Sequence, residues 1–317
     1  MTRTDAPNPT MQALLDAIHT LALPTDAQRI FHGRGGLHPG NEQWALDWFA
    51  PVWLLTSFQP VIDADLEQLH HALSKRWVEI APVDEPLNWV YQCRATGHIE
   101  TRLMAGSVPE PHDVVEQGAR YRVHLLKGQN HGLFLDMANG RHWVREHAEG
   151  AKVLNLFAYT CAFSIAALQG GARQVVNVDM SAGAMGIGQV NHALNGLQAG
   201  ASFLTHDIFK TWGKITRSGP YHLIIVDPPS FQKGSFIATK DYAKLMRRLP
   251  DLLRPGGQAM LCLNAPELSV EFLTDQMAEV APELLFEQRL DNPPAFADVD
   301  PNRALKVLIY RADALVP

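Results

Sequence analysis

The stretch Tyr221-His-Leu-Ile-Ile-Val-Asp-Pro-Pro-Ser-Phe231 decides the fold class of this chain. Its apolar, β-branched run from Leu223 to Val226 is typical of a strand buried on both faces of a parallel sheet. The run stops at Asp227-Pro228-Pro229, where consecutive prolines fix φ and remove two backbone donors. Because ligands of open α/β sheets bind at the carboxyl ends of strands, we expect the active site at this turn.

The rest of the chain after Lys152 repeats this strand pattern in alternation with helical patterns. Such alternation predicts an α/β fold, a doubly wound, seven-stranded, mostly parallel sheet of Rossmann-like type over residues 146–317. The predicted strands are 153–157, 174–178, 201–205, 223–226, 258–263, 284–288 and 305–310. The predicted helices are 164–169, 188–197 and 242–253, with a last helix before the final two strands.

Residues 11–145 form a smaller α+β domain in our assignment, and residues 1–10 are predicted to be a disordered tail. Five of the seven tryptophans lie between Trp44 and Trp89, and Trp44 and Trp48, which are four apart, share one face if this segment is helical. We interpret these tryptophans as an aromatic core, with a base-stacking platform as the alternative. Residues 99–134 have a strand-like pattern.

The composition restricts the class of protein. Of 317 residues 46% are hydrophobic, and the mean hydropathy is −0.10, as in ordinary soluble proteins. A net charge of −6 argues against tight, non-specific nucleic-acid binding but allows a local basic groove. Three scattered cysteines fit neither a disulfide framework nor a metal cluster. With no transmembrane run and no signal-peptide core, we expect a cytoplasmic, metal-free protein without membrane contact, as a monomer or homodimer.

Acidic residues at the ends of predicted strands indicate the cofactor. Asp179 ends the second strand of the sheet, where a carboxylate accepts hydrogen bonds from ribose hydroxyls. The first turn, Asn155–Phe163, lacks the G-x-G-x-x-G glycines that a dinucleotide pyrophosphate requires. S-adenosyl-L-methionine, which has ribose and adenine but no phosphate, fits better, and Asp207 after the third strand is placed to accept the adenine amine. Helix N-capping is the alternative role of both carboxylates.

The segments together resemble the class I S-adenosylmethionine-dependent methyltransferases. The resemblance rests on the turn Asn155–Phe163, on Asp179, on Asp227–Phe231 and on Arg254-Pro-Gly-Gly257. One more stretch narrows the resemblance to a single family, namely Lys127-Gly-Gln-Asn-His-Gly-Leu-Phe-Leu-Asp136. This stretch is similar to the Gly-Gln-Lys-Thr-Gly-x-Phe-x-Asp stretch of the large-subunit ribosomal RNA methyltransferases. The resemblance covers roughly residue 99 to the end and implies that RNA, specifically ribosomal RNA, is the substrate.

The resemblance also implies which residues form the active site. It further implies that the N-terminal domain ends in a β-hairpin that packs over the cofactor. The implied cofactor-binding residues are Phe134, Asp136, Arg141, Asn155, Phe157, Tyr159, Thr160, Asp179, Met180, Ser181, Asp207, Ile208 and Asp227. The implied catalytic residues are Asp227, Pro228, Pro229, Phe231 and Asn264. Phe231 would stack on an extruded base, and a hydrophobic plug under the following loop is its alternative role.

Two departures from the family pattern stand out. Cys161-Ala162 replaces a Gly-Gly pair, which restricts the loop and predicts weaker cofactor binding or a different loop shape. Asn130-His131 replaces a Lys-Thr pair.

The choice of methylated atom depends on one position. Family members that methylate pyrimidine C5 carry a nucleophilic cysteine in a turn after the fifth strand. That position is Asn264 here, as in members that methylate a guanine nitrogen, and Cys262 lies two residues earlier. We therefore favour nitrogen methylation and interpret Cys262 as an inert buried residue. C5 methylation through Cys262, a small-molecule methyltransferase and a binding protein without turnover are the alternatives.

A basic stretch after the Asp-Pro-Pro turn is a candidate path for RNA phosphates, with a solvated helix face as its alternative role. Its members are Lys233, Lys240, Lys244, Arg247 and Arg248, and Arg34 in the glycine-rich loop at 31–40 could add to it.

Overall fold

The computed structural model describes residues 11–229, 231–232 and 236–313, with only the backbone of His98, Phe231 and Gln232. The tail predicted at 1–10 and the basic residue Lys233 lie outside the described residues. The described chain divides into two compact units. The first holds the residues up to Gly118 together with Arg122–Leu135 and Pro294–Asp300; the second holds Ala119–Tyr121, Asp136–Pro293 and the remainder.

The first unit is built around a five-stranded sheet in the order β1-β2-β3-β4-β5, in which only β3 and β4 are parallel. Its elements are α1 (Gln12–His19), β1 (Gln28–His32), β2 (Trp44–Phe49), β3 (Val52–Ser57), α2 (Asp63–Ile80), β4 (Asn88–Ala95) and β5 (His98–Ala105). A separate two-stranded sheet follows, formed by β6 (His112–Glu116) and β7 (Ala119–Val123).

The tryptophans of the first unit are core residues, as predicted. Trp44, Trp53 and Trp89 are fully buried, and they pack with both helices in one apolar cluster. Trp44 and Trp48 lie in strand β2 and not in a helix. They still share a face, since side chains alternate along a strand and a separation of four is even.

The second unit contains the predicted seven-stranded sheet, in the order β10-β9-β8-β11-β14-β16-β15. All neighbouring strands are parallel except β16, which is antiparallel to both β14 and β15. The strands are β8 (Lys152–Leu156), β9 (Gln174–Asp179), β10 (Ala201–Thr205), β11 (Tyr221–Val226), the short pair β12 (Phe231–Gln232) and β13 (Phe236–Ile237), β14 (Leu253–Leu263), β15 (Leu284–Leu290) and β16 (Lys306–Ala312). The helices are α3 (Ala138–Glu146), α4 (Ala162–Gln169), α5 (Ala182–Leu194), α6 (Trp212–Ser218), α7 (Ala238–Met246), α8 (Leu249–Leu252) and α9 (Val270–Val280).

The side chains of strand β11 pack alternately against helices on the two faces of the sheet. Ile224 and Val226 point into the core that contains α7 and α9, whereas Leu223 and Ile225 point into the core that contains α3 and α4. The chain runs from β8 to β9 and β10 in one direction and then returns to β11 on the other side. The carboxyl ends of β8 and β11 therefore open at a topological switch point, the usual ligand site of such sheets.

Three predicted boundaries needed correction. The helix expected over 242–253 ends at Met246, because Pro250 cannot donate the next backbone hydrogen bond, and α8 follows. The helix expected over 188–197 begins earlier, at Ala182, where the Ser181 hydroxyl accepts the Ala184 N–H. The strand expected over 258–263 begins earlier, at Leu253, and residues 254–257 form a register shift against β11.

None of the helices in the described residues is long and apolar enough to cross a bilayer. Over the same part of the chain, no group of three or more His, Cys, Asp and Glu side chains is arranged to hold a metal ion.

Candidate active site

The turn after β8 is held in an unusual backbone conformation. Phe157, Tyr159 and Cys161 have φ values of 57°, 48° and 63°. Each is in the left-handed region, which costs a residue other than glycine about 1–2 kcal/mol. Such strain persists only where the surroundings impose it, and it clusters at ligand sites.

Asp179 connects this turn to helix α5. Its Oδ2 accepts the Tyr159 N–H at 2.9 Å, and its Oδ1 accepts the Ser181 N–H at 2.7 Å. The capping of α5 falls to the Ser181 hydroxyl, so Asp179 is not its N-cap. A carboxylate has about four acceptor positions. The half-buried Asp179 therefore retains capacity for further donors, such as the hydroxyls of a ribose.

Asp207 has the capping role that the sequence left open. Its Oδ1 accepts the Phe209 N–H at 2.9 Å, at the start of the 3-10 turn Ile208–Lys210. The Lys210 ammonium lies 3.3 Å from Oδ2 and is largely exposed. Ile208 is buried beneath the turn. Asp207 thus stands at the expected edge of the sheet with one oxygen already bonded to the main chain.

Asp227 occupies the carboxyl end of β11, beside the ends of β8 and β14. Val226 pairs with Leu156 on one side and with Leu261 on the other. Burial, followed by the negative charge of Asp136, raises the pKa of the Asp227 carboxyl to about 7, and the positive charge of Arg141 acts in the opposite direction. Arg141 is itself buried in α3. The charges of Asp136 and Arg141 therefore influence the ionisation of Asp227 at the switch point.

The remaining predicted residues differ in their surroundings. Asn155 is buried, and its Nδ2 donates to Asn177 Oδ1 at 2.9 Å, so its side chain is committed to the core. Thr160 is buried, and its carbonyl accepts from Asn191 Nδ2 at 2.9 Å. Met180 is 49% exposed, and Phe134, which belongs to the first unit, is 42% exposed.

The substrate side of the switch point begins with Pro228, which is buried, and Pro229, which is half-buried. Asn264 follows the last residue of β14 and is exposed. The Phe231 side chain lies outside the described part of the chain, so its stacking role stays a prediction.

The comparisons with known proteins identify the family of the chain. A model of the S-adenosylmethionine-dependent methyltransferase family matches residues 28–311. The chain belongs to this family.

Two relatives of the chain are named as ribosomal RNA large subunit methyltransferases. Ribosomal RNA large subunit methyltransferase K/L of Psychrobacter sp. (strain PRwf-1) is 37% identical over 166 residues, which are 50% of this chain and 20% of that protein. Ribosomal RNA large subunit methyltransferase I of Erwinia tasmaniensis is 33% identical over 205 residues, which are 60% of this chain and 52% of that protein. The matches thus span no more than about half the length of these relatives.

Solved structures agree on the fold of this family member. A Streptococcus mutans protein assigned as an S-adenosylmethionine-dependent methyltransferase superposes with a TM-score of 0.79 at 24% identity, covering 98% of this chain and 83% of that one. A methyltransferase from Agrobacterium tumefaciens gives a TM-score of 0.67 at 19% identity, covering 93% and 92% of the two chains.

S-adenosylmethionine is the cofactor of the family, and the residues of the switch point fit it. The Asp179 carboxylate, which bonds to the turn at 157–161, retains acceptor positions that suit the hydroxyls of a ribose. The acidic Asp227 and Asp136 suit the positive charges of the cofactor. The absence of a Gly-rich phosphate loop agrees with a cofactor that carries no phosphate.

Sequence reasoning missed a set of buried polar residues behind this site. Asn177, Ser164 and His192 continue the hydrogen-bond chain that begins at Asn155. The signal was present, since Asn177 is a polar residue inside an apolar parallel strand. Lys306 was missed as well: it is buried, and its Nζ donates to the carbonyls of Ala265 at 2.8 Å and Asn302 at 2.7 Å, next to Asn264.

Proposed function

We propose that this protein methylates a base of ribosomal RNA in the cytoplasm and that a nitrogen atom receives the methyl group. The observation that carries the choice of nitrogen is the contrast between Asn264 and Cys262. Asn264 is exposed at the carboxyl end of β14, at the position where C5-methylating relatives would present a thiol. Cys262 is fully buried two residues earlier in the strand.

Cys262 is poorly suited to nucleophilic attack. Burial, followed by the negative charges of Asp227 and Asp136, raises the pKa of its thiol well above the ordinary value. The thiolate is the reactive form of cysteine. The carbonyl of Cys262 also accepts the buried Tyr242 hydroxyl at 2.6 Å, which fixes this part of the strand.

The cofactor, when bound, supplies an electrophilic methyl group on a sulfonium. The residues of the chain would then bind and orient the two reactants. Asp179 would accept the ribose hydroxyls, and Asp207 would accept the adenine amine through the oxygen not bonded to Phe209. Asp227 would lie beside the cationic end of the cofactor and could also accept a proton from a base edge.

Base recognition would come from the carboxyl ends of β11 and β14. Pro228 and Pro229 lack N–H groups, which leaves carbonyl oxygens as the polar main-chain groups of that turn. Asn264 can donate and accept hydrogen bonds and would fix the nitrogen in line with the methyl group. Phe231 would stack on the extruded base.

The described basic residues after this turn are candidates for phosphate contacts. Lys244 is exposed, bonds to Asp241 at 2.7 Å and lies 5.9 Å from the centre of the Phe209 ring. The Arg248 guanidinium lies 5.4 Å from the Trp212 ring. Cations next to aromatic rings are common on surfaces that bind single-stranded nucleic acid.

The test is methyl transfer from labelled S-adenosylmethionine to ribosomal RNA from cells that lack this gene, followed by nucleoside mass spectrometry. We expect one labelled nucleoside with the methyl group on nitrogen. A product of 5-methylcytosine would contradict the choice of nitrogen. Activity that survives ribonuclease treatment of the substrate, or that is seen only with small molecules, would contradict the RNA substrate.

Replacing Cys262 by alanine separates the two chemistries. If nitrogen is methylated, Cys262→Ala keeps kcat within about twofold, whereas loss of a catalytic nucleophile lowers kcat by several orders of magnitude. The variant should remain folded, because such a small core truncation costs about 1 kcal/mol. Asn264→Ala is the matched comparison, and we expect it to lower kcat/KM by about tenfold or more. Steady-state kinetics on the same RNA decide between these outcomes.

A further inference from the structure

Helix α5 packs against Cys161, the residue of the 157–161 turn that stands where the family pattern has a glycine. Cys161 is fully buried, and its Sγ lies 3.9 Å from Met185 Sδ on α5. A Cβ atom on Gly188 would lie 2.6 Å from Cys161 Sγ and 3.1 Å from its Cβ. Gly188 therefore forms a notch in the helix surface, and the notch accommodates the cysteine.

The next turn of the helix holds the same loop by a hydrogen bond. Asn191 is fully buried, and its Nδ2 donates to the Thr160 carbonyl at 2.9 Å. Burial matters here, because a buried carbonyl without a donor is unfavourable. This bond fixes the peptide that precedes Cys161.

His192 connects α5 to the helix that follows the turn. Its Nδ1 lies 2.7 Å from the Gly188 carbonyl, which can only accept, so Nδ1 carries the proton. Burial lowers the pKa of His192, which favours the neutral ring, and Nε2 then accepts the Ser164 hydroxyl at 2.9 Å. Ser164 in turn accepts from Asn177 Nδ2 at 3.0 Å.

We propose that Gly188 and Asn191 act as positioning residues that hold the 157–161 turn in its left-handed conformation, with His192 joining the same helix to α4, and thereby set the affinity for S-adenosylmethionine. In that conformation the Tyr159 N–H meets Asp179, whose second oxygen bonds to the residue that caps the same helix. Helix α5 thus contacts the cofactor turn along much of its length. The inference requires cofactor binding at this turn and is independent of the RNA substrate.

The expected compensation is specific to Cys161. A glycine at this position adopts positive φ without a steric penalty, so Cys161→Gly removes the side chain that meets Gly188 and leaves the backbone of the turn unstrained. A methyl group at Gly188 should displace Cys161 and with it the turn. The same methyl group should be tolerated once the cysteine side chain is removed.

The experiment is isothermal calorimetry of S-adenosylmethionine binding to Gly188→Ala, Cys161→Gly and the double variant, with no RNA present. We expect the Kd of Gly188→Ala to rise by about tenfold or more, and that of the double variant to return to within about threefold of wild type. Gly186→Ala is the matched control, since an added Cβ there meets nothing within 4 Å, and its Kd should not change.

Two results would overturn the inference. One is a folded Gly188→Ala protein that binds the cofactor as tightly as wild type. The other is a folded double variant that binds as weakly as Gly188→Ala. If Gly188→Ala does not fold, the double variant still decides, because recovery of both folding and affinity supports the notch and failure of either contradicts it.

Asn191→Ala provides a readout that a purely structural role would not give. We expect the KM for the cofactor to rise by about tenfold while kcat at saturating cofactor and the KM for RNA stay within about twofold. A fall in kcat with unchanged KM for the cofactor would contradict a positioning role.

Discussion

Asp179→Asn lowers the affinity for S-adenosylmethionine by about 10²-fold or more, which is the largest effect expected of a single change at this site. One oxygen of the carboxylate is replaced by the NH2 of a carboxamide, which is a donor. This donor then faces the N–H of either Tyr159 or Ser181, so one of the two hydrogen bonds is lost. Each hydrogen bond to a charged group contributes about 1.5–3 kcal/mol, and every 1.4 kcal/mol is a factor of ten in Kd. Losing one main-chain bond and one bond to ribose gives the stated loss, which calorimetry can measure.

The control for this prediction is Asp207→Asn. Asp207 bonds to one main-chain N–H rather than two and is joined by an exposed lysine. We expect its Kd to rise by about tenfold or less, because fewer charged hydrogen bonds are lost. If Asp207→Asn weakened binding more than Asp179→Asn, the assignment of the ribose to Asp179 would be wrong.

The parallel sheet was predictable because its signal is local. Four consecutive apolar residues from Leu223 to Val226 that end at Asp-Pro-Pro describe a strand buried on both sides. Once several such strands are recognised, their order of appearance implies that Asp179, Asp207 and Asp227 stand at one edge of the sheet. That inference requires only the rule that parallel strands point the same way.

The use of each side chain was not predictable, because it depends on partners distant in sequence. Asn155 follows the pattern of a cofactor residue, but its amide is bonded to Asn177 on the neighbouring strand. Cys161 was expected to restrict the turn, yet it adopts the left-handed conformation that a glycine would, with space left by Gly188. Residues Pro294–Asp300, far along the chain, belong to the first unit.

The domain boundary illustrates the same limit. The sequence placed it between residues 145 and 146, where the strand–helix alternation begins, and this division stays a proposal. The compact units separate near Leu135 and Asp136, and α3 belongs with the sheet because Trp143 and Val144 pack in its core. Helix α3 is amphipathic, but an amphipathic pattern alone does not indicate which unit its apolar face packs against.

Asp227 gives the second large effect: the affinity of the wild-type protein for S-adenosylmethionine rises with pH. With a pKa of about 7 in the cofactor-free protein, the carboxyl is mostly neutral at pH 6 and mostly ionised at pH 8. The ionised form attracts the sulfonium, so Kd should fall by about tenfold between these two pH values. S-adenosylhomocysteine has a neutral sulfur and should show a smaller change.

Stability of the cofactor-free protein should change in the opposite direction with pH. The folded pKa of Asp227 lies above the ordinary value of about 3.9, so this group stabilises the fold at low pH and loses that contribution as pH rises through 7. Asp227→Asn lacks the ionisation. Its Tm relative to wild type should therefore increase between pH 5 and pH 8, as measured by calorimetric melting.

Asp227→Asn also makes the two roles of the residue separable. The variant should bind S-adenosylmethionine with a Kd nearly independent of pH from 6 to 8, and its kcat/KM should fall by about 10²-fold if the carboxylate also accepts a proton from the base. A wild-type Kd that is flat over this range would mean that Asp227 does not interact with the cationic end of the cofactor. A flat Kd together with a large loss of kcat in the variant would instead assign Asp227 to the base alone.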